Sequence, residues 1–233
     1  MNQAIEWASL TSDELKALDR NLPVIVPLGL IEAHGHHLSL GLDNETAAYF
    51  SRRVAEATGA ILAPPLYYGF ADAMREYPGT LGLTVGTLSL VIRDVAEALC
   101  YQGFMKQIYL SGHGANKIAC DLAFYKAWER YPGLKPAYWN YWTEAGLTGI
   151  HHADKGETEI ALAVGSTVYM DRARDYTAPK TWHQVNSRFK FQPESGGING
   201  RPTAADPREG ERMREQIVAA LVEKVKAAIG DQS

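Results

Sequence analysis

Glu32, His34, His36, His37 and Asp43 crowd into one short stretch, VIVPLGLIEAHGHHLSLGLD, spanning Val24 to Asp43. Imidazole nitrogens and carboxylate oxygens at this density are a donor set suited to Zn²⁺, Mn²⁺ or Fe²⁺, more than to soft Cu(I) or hard Ca²⁺. The apolar run Val24–Pro27 reads as a buried strand, and Gly29 breaks it. The donors therefore stand just past a strand end, where an α/β protein places its site. Read without chemistry, the same residues are a polar surface loop that carries three histidines.

Two further stretches could contribute. Gln107–Leu110 reads as a strand that runs into Ser111-Gly112-His113-Gly114-Ala115-Asn116, ahead of a helix expected over Lys117–Tyr131. Glycines on both sides of His113 allow close backbone packing while the imidazole projects inward. The alternative is a tight turn with the imidazole in solvent. Later, an aromatic-rich strand near Lys135–Tyr141, with Tyr138, Trp139, Tyr141 and Trp142 nearby, precedes His151-His152-Ala153-Asp154-Lys155-Gly156-Glu157-Thr158-Glu159. A helix is expected from Thr158 to Val164.

The elements that must position these loops follow from pattern. Thr11-x-x-Glu14 is a capping box, with Leu10 and Leu15 as its staple, and announces a helix to about Leu18. Ala47, Phe50, Val54 and Ala57 share one face of a helix over Asn44–Thr58, which Gly59 ends. Ala60–Ala63 is a second strand, stopped by Pro64-Pro65. From Pro64 to Gly86 no period is evident, and a long irregular segment of this kind is usually functional. Leu88, Val91, Val95, Ala98 and Leu99 mark a helix over Leu88–Gln102. The stretch from Tyr169 to Thr203 reads as irregular. Asp206, Pro207 and Glu209 then start a last helix with a capping box, a stripe of Met213, Ile217, Leu221 and Val225, and a stop at Gly230. Strands alternating with helices predict a single α/β domain, three-layered, with a mainly parallel sheet between two helical layers.

Composition narrows the function. The chain has 233 residues and a formal charge of −4, near-average for a soluble globular protein and unlike a nucleic-acid or membrane binder. No apolar run approaches the roughly 18 residues that span a bilayer. The first residues lack the basic and apolar regions of a signal peptide. Cys100 and Cys120 lack metal-site spacing and are expected as buried free thiols in a reducing cytoplasm.

The loops together resemble the creatininase (creatinine amidohydrolase) family. Glu32-Ala33-His34-Gly35-His36-His37-Leu38-Ser39-Leu40-Gly41-Leu42-Asp43 is similar to that family's E-Q-H-G-P-H-L-P-L-x-T-D, and Tyr77-Pro78-Gly79-Thr80 to its F-P-G-T. Gly112-His113-Gly114-Ala115-Asn116 is similar to G-H-G-G-N, and His152-Ala153-Asp154-Lys155-Gly156-Glu157-Thr158 to H-A-G-E-x-E-T. Gly197 to Ala204, with Glu209-Gly210-Glu211, is similar to the family's C-terminal G-x-x-G-D-P-x-x-A and K-G-E. The blocks fall in family order and cover most of the chain. Ala33, His36 and Ser39 depart from the first block, Ala115 stands where creatininase itself carries a metal-binding glutamate, and Lys155 and Arg201 replace acidic residues.

The resemblance implies two divalent metal ions. Glu32 and His113 would bind one, His34 the other, and Asp43 would bridge them. Glu157 is the candidate for the carboxylate missing at Ala115. The implied reaction is hydrolysis of an amide, cyclic amide or formamide C–N bond of a small polar molecule by a hydroxide bridging the ions. Ring opening of a cyclic diketone of the diketo-inositol type, and metal binding without catalysis, are the alternatives. His152 would donate a proton to the leaving group, because imidazole titrates near working pH; it could instead be a ligand or a supporting residue. Trp142 and Tyr141 would wall the pocket or pack in the core. Lys155 would contact an oxygen-rich or anionic substrate or simply pair with Asp154 or Glu159. A homo-oligomer, hexamers included, follows from the resemblance alone.

Overall fold

The computed structural model describes residues 3–71, 74–177 and 193–230. Five strands form one parallel sheet among the described residues: β1 (Ile5–Glu6), β2 (Val24–Leu28), β3 (Ile61–Leu62), β4 (Lys106–Ser111) and β5 (Lys135–Asn140), in the order β1-β3-β2-β4-β5. The main helices are α1 (Ser12–Ala17), α2 (Leu42–Thr58), α3 (Val85–Tyr101), α4 (Asn116–Arg130), the single turn α5 (Tyr141–Glu144), α6 (Lys155–Val164) and α7 (Pro207–Gly230).

Alternation along the central strand sorts the helices into two layers. Val24, Val26 and Leu28 of β2 join a core with Leu88, Ile92, Ala96 and Leu99 of α3 and Ala119, Ala123 and Ala127 of α4. Ile25, one residue out of phase, joins the opposite core with Phe50 and Val54 of α2, Ile160 of α6 and Met213, Ile217, Leu221 and Val225 of α7. β4 does the same, sending Tyr109 to the first core and Ile108 and Leu110 to the second. This is the three-layer arrangement expected from the sequence.

Strand order places the site. From β2 the chain passes through α2 to β3 on one side, then through α3 to β4 on the other. The two crossovers diverge at β2, and the crevice beyond the C-terminal ends of β2 and β4 is the switch point where such sheets bind ligands. β2 and β4 run in register from Val24↔Gln107 to Leu28↔Ser111, so both end at the same level.

Several element boundaries differ from the expectation, and the reasons are local. α2 begins at Leu42 and α6 at Lys155, so Asp43, Lys155 and Glu157 lie on first helical turns instead of loops. Asp154 caps α6 by accepting from the Gly156 and Glu157 amides. Thr84 caps α3, which starts at Val85 and not Leu88. Gly86 and Gly156 lie in the first turns of α3 and α6, positions that tolerate glycine because the caps supply hydrogen bonds there. β5 stops at Asn140, whose side chain caps α5, so Tyr141 is helical. β1 has two residues, too short for a period to announce it. The Thr11–Glu14 capping box forms with both bonds. The box expected at Asp206 and Glu209 does not: the Asp206 amide donates to Glu159 Oε1, and Glu209 pairs with Arg212. The irregular Pro64–Gly86 segment lays isolated bridges across the strand ends, Leu28↔Leu66 and Ile31↔Leu81. Of the stretch expected to be irregular from Tyr169 to Thr203, residues 178–192 lie outside the described residues. Cys100 and Cys120 are free and buried, as expected.

Asn116 pins this end of the sheet. Its fully buried amide donates to the Gly29 carbonyl (3.1 Å) and to Ser111 Oγ (3.2 Å), and it accepts from the Phe70 N–H (2.9 Å). Asn116→Ala strips partners from three segments and should lower the unfolding free energy by roughly 1–3 kcal/mol. Urea denaturation measures this, and an unchanged midpoint would contradict the assigned role.

Candidate metal centre

Glycine ends both central strands because α2 comes too close for any side chain. A Cβ on Gly29 would lie 2.1 Å from Asn44 Oδ1 and 2.7 Å from its Cα; one on Gly112 would lie 2.1 Å from the Asp43 carbonyl oxygen. The first turn of α2 therefore rests on the two strand ends and delivers Asp43 between the loop after β2 and the loop after β4.

There the expected donors meet. His113 Nδ1 is 3.0 Å from Glu32 Oε1 and 3.3 Å from Asp43 Oδ2. His34 Nε2 is 3.3 Å from Asp43 Oδ1, 3.8 Å from Glu157 Oε2 and 3.9 Å from Glu32 Oε1. Each oxygen of Asp43 thus faces a different imidazole. One donor group comprises Glu32, Asp43 and His113, and a second Glu32, His34 and His152; within each the ligand atoms lie within 4.8 Å of one another.

Most of the centre is buried, and its hydrogen bonding is unfinished. Glu32, His34 and Asp43 are almost fully buried, yet Glu32 Oε1 and Oε2, His34 Nε2 and Asp43 Oδ2 have no hydrogen-bond partner among the described residues. Four orphaned buried atoms converging on one volume would be costly unless a cation completes them. The ring orientations agree. His34 Nδ1 lies 3.1 Å from the Glu32 carbonyl, which can only accept, so Nδ1 carries the proton and Nε2 offers its lone pair. His152 is held the other way round: Nε2 donates to the Ala33 carbonyl at 2.7 Å, and Nδ1 faces Glu32 Oε1 at 3.6 Å. The His34 and His152 rings lie 4.4 Å apart. The donor set and its orphaned atoms fit divalent ions.

Charge says the same. Burial alone would lower the His34 pKa, but Asp43, Glu157 and Glu32 carry it up to about 10. Burial likewise opposes protonation of His113, and Glu32 and Asp43 override it to raise its pKa well above the ordinary value. Burial pushes Glu157 up to about 8, with His34 opposing and Asp43 and Glu32 adding to the rise. The crowded carboxylates thus make this buried volume favour a cation. His152 shifts down, from burial and then from the neighbouring His34.

The other sequence-predicted residues divide. Glu157 is buried and reaches the centre, its Oε2 also accepting from the Ala153 amide; Ala153 has φ +51°, the one positive-φ non-glycine among the described residues. Of the two places expected for Tyr141, pocket wall or core, the side chain packs in the core: it is buried against Phe50 at 4.7 Å between ring centroids, where α5 turns it under the site. Trp142 is partly buried against the same core, and a Cβ on Gly114 would lie 3.9 Å from its Cζ2, so it stands beside the His113 loop. Lys155, expected either against substrate or paired with Asp154 or Glu159, pairs with the buried carboxylate of Glu159. That carboxylate also receives the Asp206 amide, a structural role the sequence did not suggest. His36 is exposed beside Gly196, and His151 is exposed. His37 is buried, and burial with the nearby His34 and His36 lowers its pKa to about 4. Sequence reasoning missed Tyr138, whose hydroxyl donates to the His113 carbonyl at 2.9 Å, and Ser111, which both donates to that carbonyl and accepts from the His113 amide. A hydroxyl that secures a neighbouring backbone leaves no periodic trace.

Fold and site together define an α/β protein with a buried carboxylate–imidazole centre at the C-terminal edge of a parallel sheet. The sequence profile of one family, creatininase, described as creatinine amidohydrolase, matches residues 8–225. The chain belongs to the creatininase family, and with it to the hydrolases. It is 28% identical to the creatinine amidohydrolase of Pseudomonas putida over 87% of this chain and 88% of that one. It is 29% identical to the mycofactocin precursor peptide peptidase of Mycolicibacterium smegmatis, over 87% of this chain and 84% of that one. The solved structure of a zinc–zinc creatininase variant superposes with a TM-score of 0.84 at 24% identity, covering 99% of this chain and all of the other.

If two ions sit among these donors with Asp43 between them, Asp43→Ala should lose the most metal, whereas His34→Ala should spare an ion on Glu32 and His113. Metal analysis of the purified variants measures this. Full occupancy in Asp43→Ala would refute a bridging carboxylate.

Proposed function

We propose that the chain is a divalent-metal-dependent hydrolase that cleaves an amide-type C–N bond, in an amide, cyclic amide or formamide, of a small polar substrate. The observation that carries this reading is the set of orphaned buried atoms on Glu32, His34 and Asp43. Glu32, Asp43 and His113 would hold one ion; His34, Asp43 and Glu157 would hold the other, Glu157 standing in for the carboxylate absent at Ala115. The two full-length relatives support the bond type, since an amidohydrolase and a peptidase both break C–N bonds. Zn²⁺, Mn²⁺ or Fe²⁺ suits the nitrogen and oxygen donors.

When bound, such ions polarise a carbonyl oxygen and make water nucleophilic near neutral pH. The chain's own part is orientation and proton transfer. His152 is partly exposed, unlike Glu32 and His34, so it stands at the open side of the centre. With Nε2 committed to the Ala33 carbonyl, only Nδ1 can exchange protons with a substrate. This refines the expected donor role: Nδ1 first takes the proton shed by the attacking water, then returns it to the departing nitrogen. The Ala33 carbonyl holds the ring for both steps.

No described helix is long and apolar enough to cross a membrane, and the buried thiols Cys100 and Cys120 fit a reducing cytoplasm. Ile118, Leu122 and Tyr125 form an exposed apolar stripe on α4, which supports a homo-oligomer.

A panel of amides, cyclic amides, formamides and short peptides with metal-loaded enzyme tests the reaction. Release of amine or ammonia is expected; acid without amine would redirect the reading to ring opening of a cyclic diketone, and no turnover to a metal-binding protein. His152→Asn should lower kcat by roughly 10²–10⁴-fold with both ions retained. Loss of an ion in that variant would make His152 a ligand.

A further inference from the structure

The carboxylate proposed for the second ion sits on α6, more than a hundred residues along the chain from the loop that supplies Glu32 and His34. Something must set the distance between them. Where α6 faces that loop, a buried hydrogen bond joins them: His37 Nε2 to Thr158 Oγ1 at 2.9 Å, between two fully buried side chains.

The direction of this bond is determined. Thr158 Oγ1 donates to the Asp154 carbonyl at 2.7 Å, which spends its only proton. It must therefore accept from His37, whose Nε2 carries the hydrogen. His37 lies in the turn Gly35–His37, closed by the Leu38 N–H donating to the His34 carbonyl, and Thr158 is the residue after Glu157. The remainder of the first turn of α6 is tied to itself: Asp154 Oδ1 accepts from Gly156 and Glu157, and Glu157 Oε2 accepts from Ala153. The turn is thus a rigid unit, and a bond from His37 to Thr158 places the whole unit, Glu157 included, against His34.

We propose that His37 and Thr158 are positioning residues that hold Glu157 at the distance the second metal ion requires. This rests on the reading of Glu157 as a ligand of that ion. His37 would touch neither metal nor substrate; its effect would pass through Thr158 and the first turn of α6. The ion on Glu32, Asp43 and His113 draws nothing from α6 and should be insensitive to the bond.

That asymmetry is the test. The full chain is stripped with a chelator and titrated with Zn²⁺ against a chromogenic competitor, giving an affinity for each of two ions. Thr158→Val keeps the shape but loses the acceptor, and His37→Asn withdraws the donor beyond reach; each should weaken one ion by roughly 10–100-fold and leave the other unchanged. Thr158→Ser and His37→Gln keep an acceptor and a donor in place and should restore the weaker ion. The two breaking variants act from opposite partners, so a failure of one to fold, judged by circular dichroism without metal, leaves the other to decide. Wild-type affinities for both ions in the folded variant, or a parallel loss of both, would overturn the proposal. Glu157→Gln separates this from the reading beneath it. Two ions bound tightly in Glu157→Gln would remove Glu157 from the metal shell. One ion lost there, with both retained in Thr158→Val, would leave Glu157 a ligand and refute only the positioning role.

Discussion

The structure depends on how closely the first turn of α2 lies against the ends of β2 and β4. Gly29 and Gly112 make that approach possible, since a methyl group at either would overlap α2 backbone or Asn44. The close seat does two things. It puts Asp43 at a helix N-terminus, where the unpaired amides favour a carboxylate, and it inserts Asp43 between loops from two neighbouring strands. The α/β order of β3-β2-β4 supplies the crevice, and these glycines let a helix enter it.

The centre built there concentrates negative charge. Glu32, Asp43 and Glu157 converge in a volume nearly closed to water, and burial penalises every one of their charges. The carboxylates raise the proton affinity of His34 and His113, and burial with like charge raises that of Glu157. Divalent cations would offset the negative charge while using the orphaned oxygen and nitrogen atoms. The protein therefore holds its donors by backbone: the Glu32 and Ala33 carbonyls orient His34 and His152, and Tyr138 with Ser111 secures the His113 main chain. Orientation through carbonyls costs the side chains none of their lone pairs.

α6 meets the same need from the other side. Its first turn, capped by Asp154 and with Ala153 at positive φ, aims Glu157 inward, while Glu159 anchors Lys155 and the start of α7. Lys155 is drawn to a structural carboxylate, so its charge belongs to the junction of α6 and α7. The family resemblance located the acidic residue but not this division of labour between Glu157, two positions after Lys155, and Glu159.

Much of this was legible in the sequence because it is local. The unbroken apolar run Val24–Pro27 reported a strand buried on both faces, and the stripe on α7 reported a helix buried on one, since one-sided burial leaves a period of 3.6 in a helix. Strand-ending glycines followed by Glu32, His34 and His113 reported the donors, and the motif order reported the family. What the sequence could not carry is contact between distant residues. Which of its two expected places Tyr141 takes, pocket wall or core, was decided by the helical turn Asn140 begins, which packs it in the core. That Glu159 and not Glu209 receives the Asp206 amide was decided by the packing of α6 on α7. That His37 reaches Thr158 was decided by two loops meeting over the sheet. Spacing along a chain specifies which side chains share a face; only the folded backbone specifies which faces meet, because that depends on layers assembled from every part of the sequence.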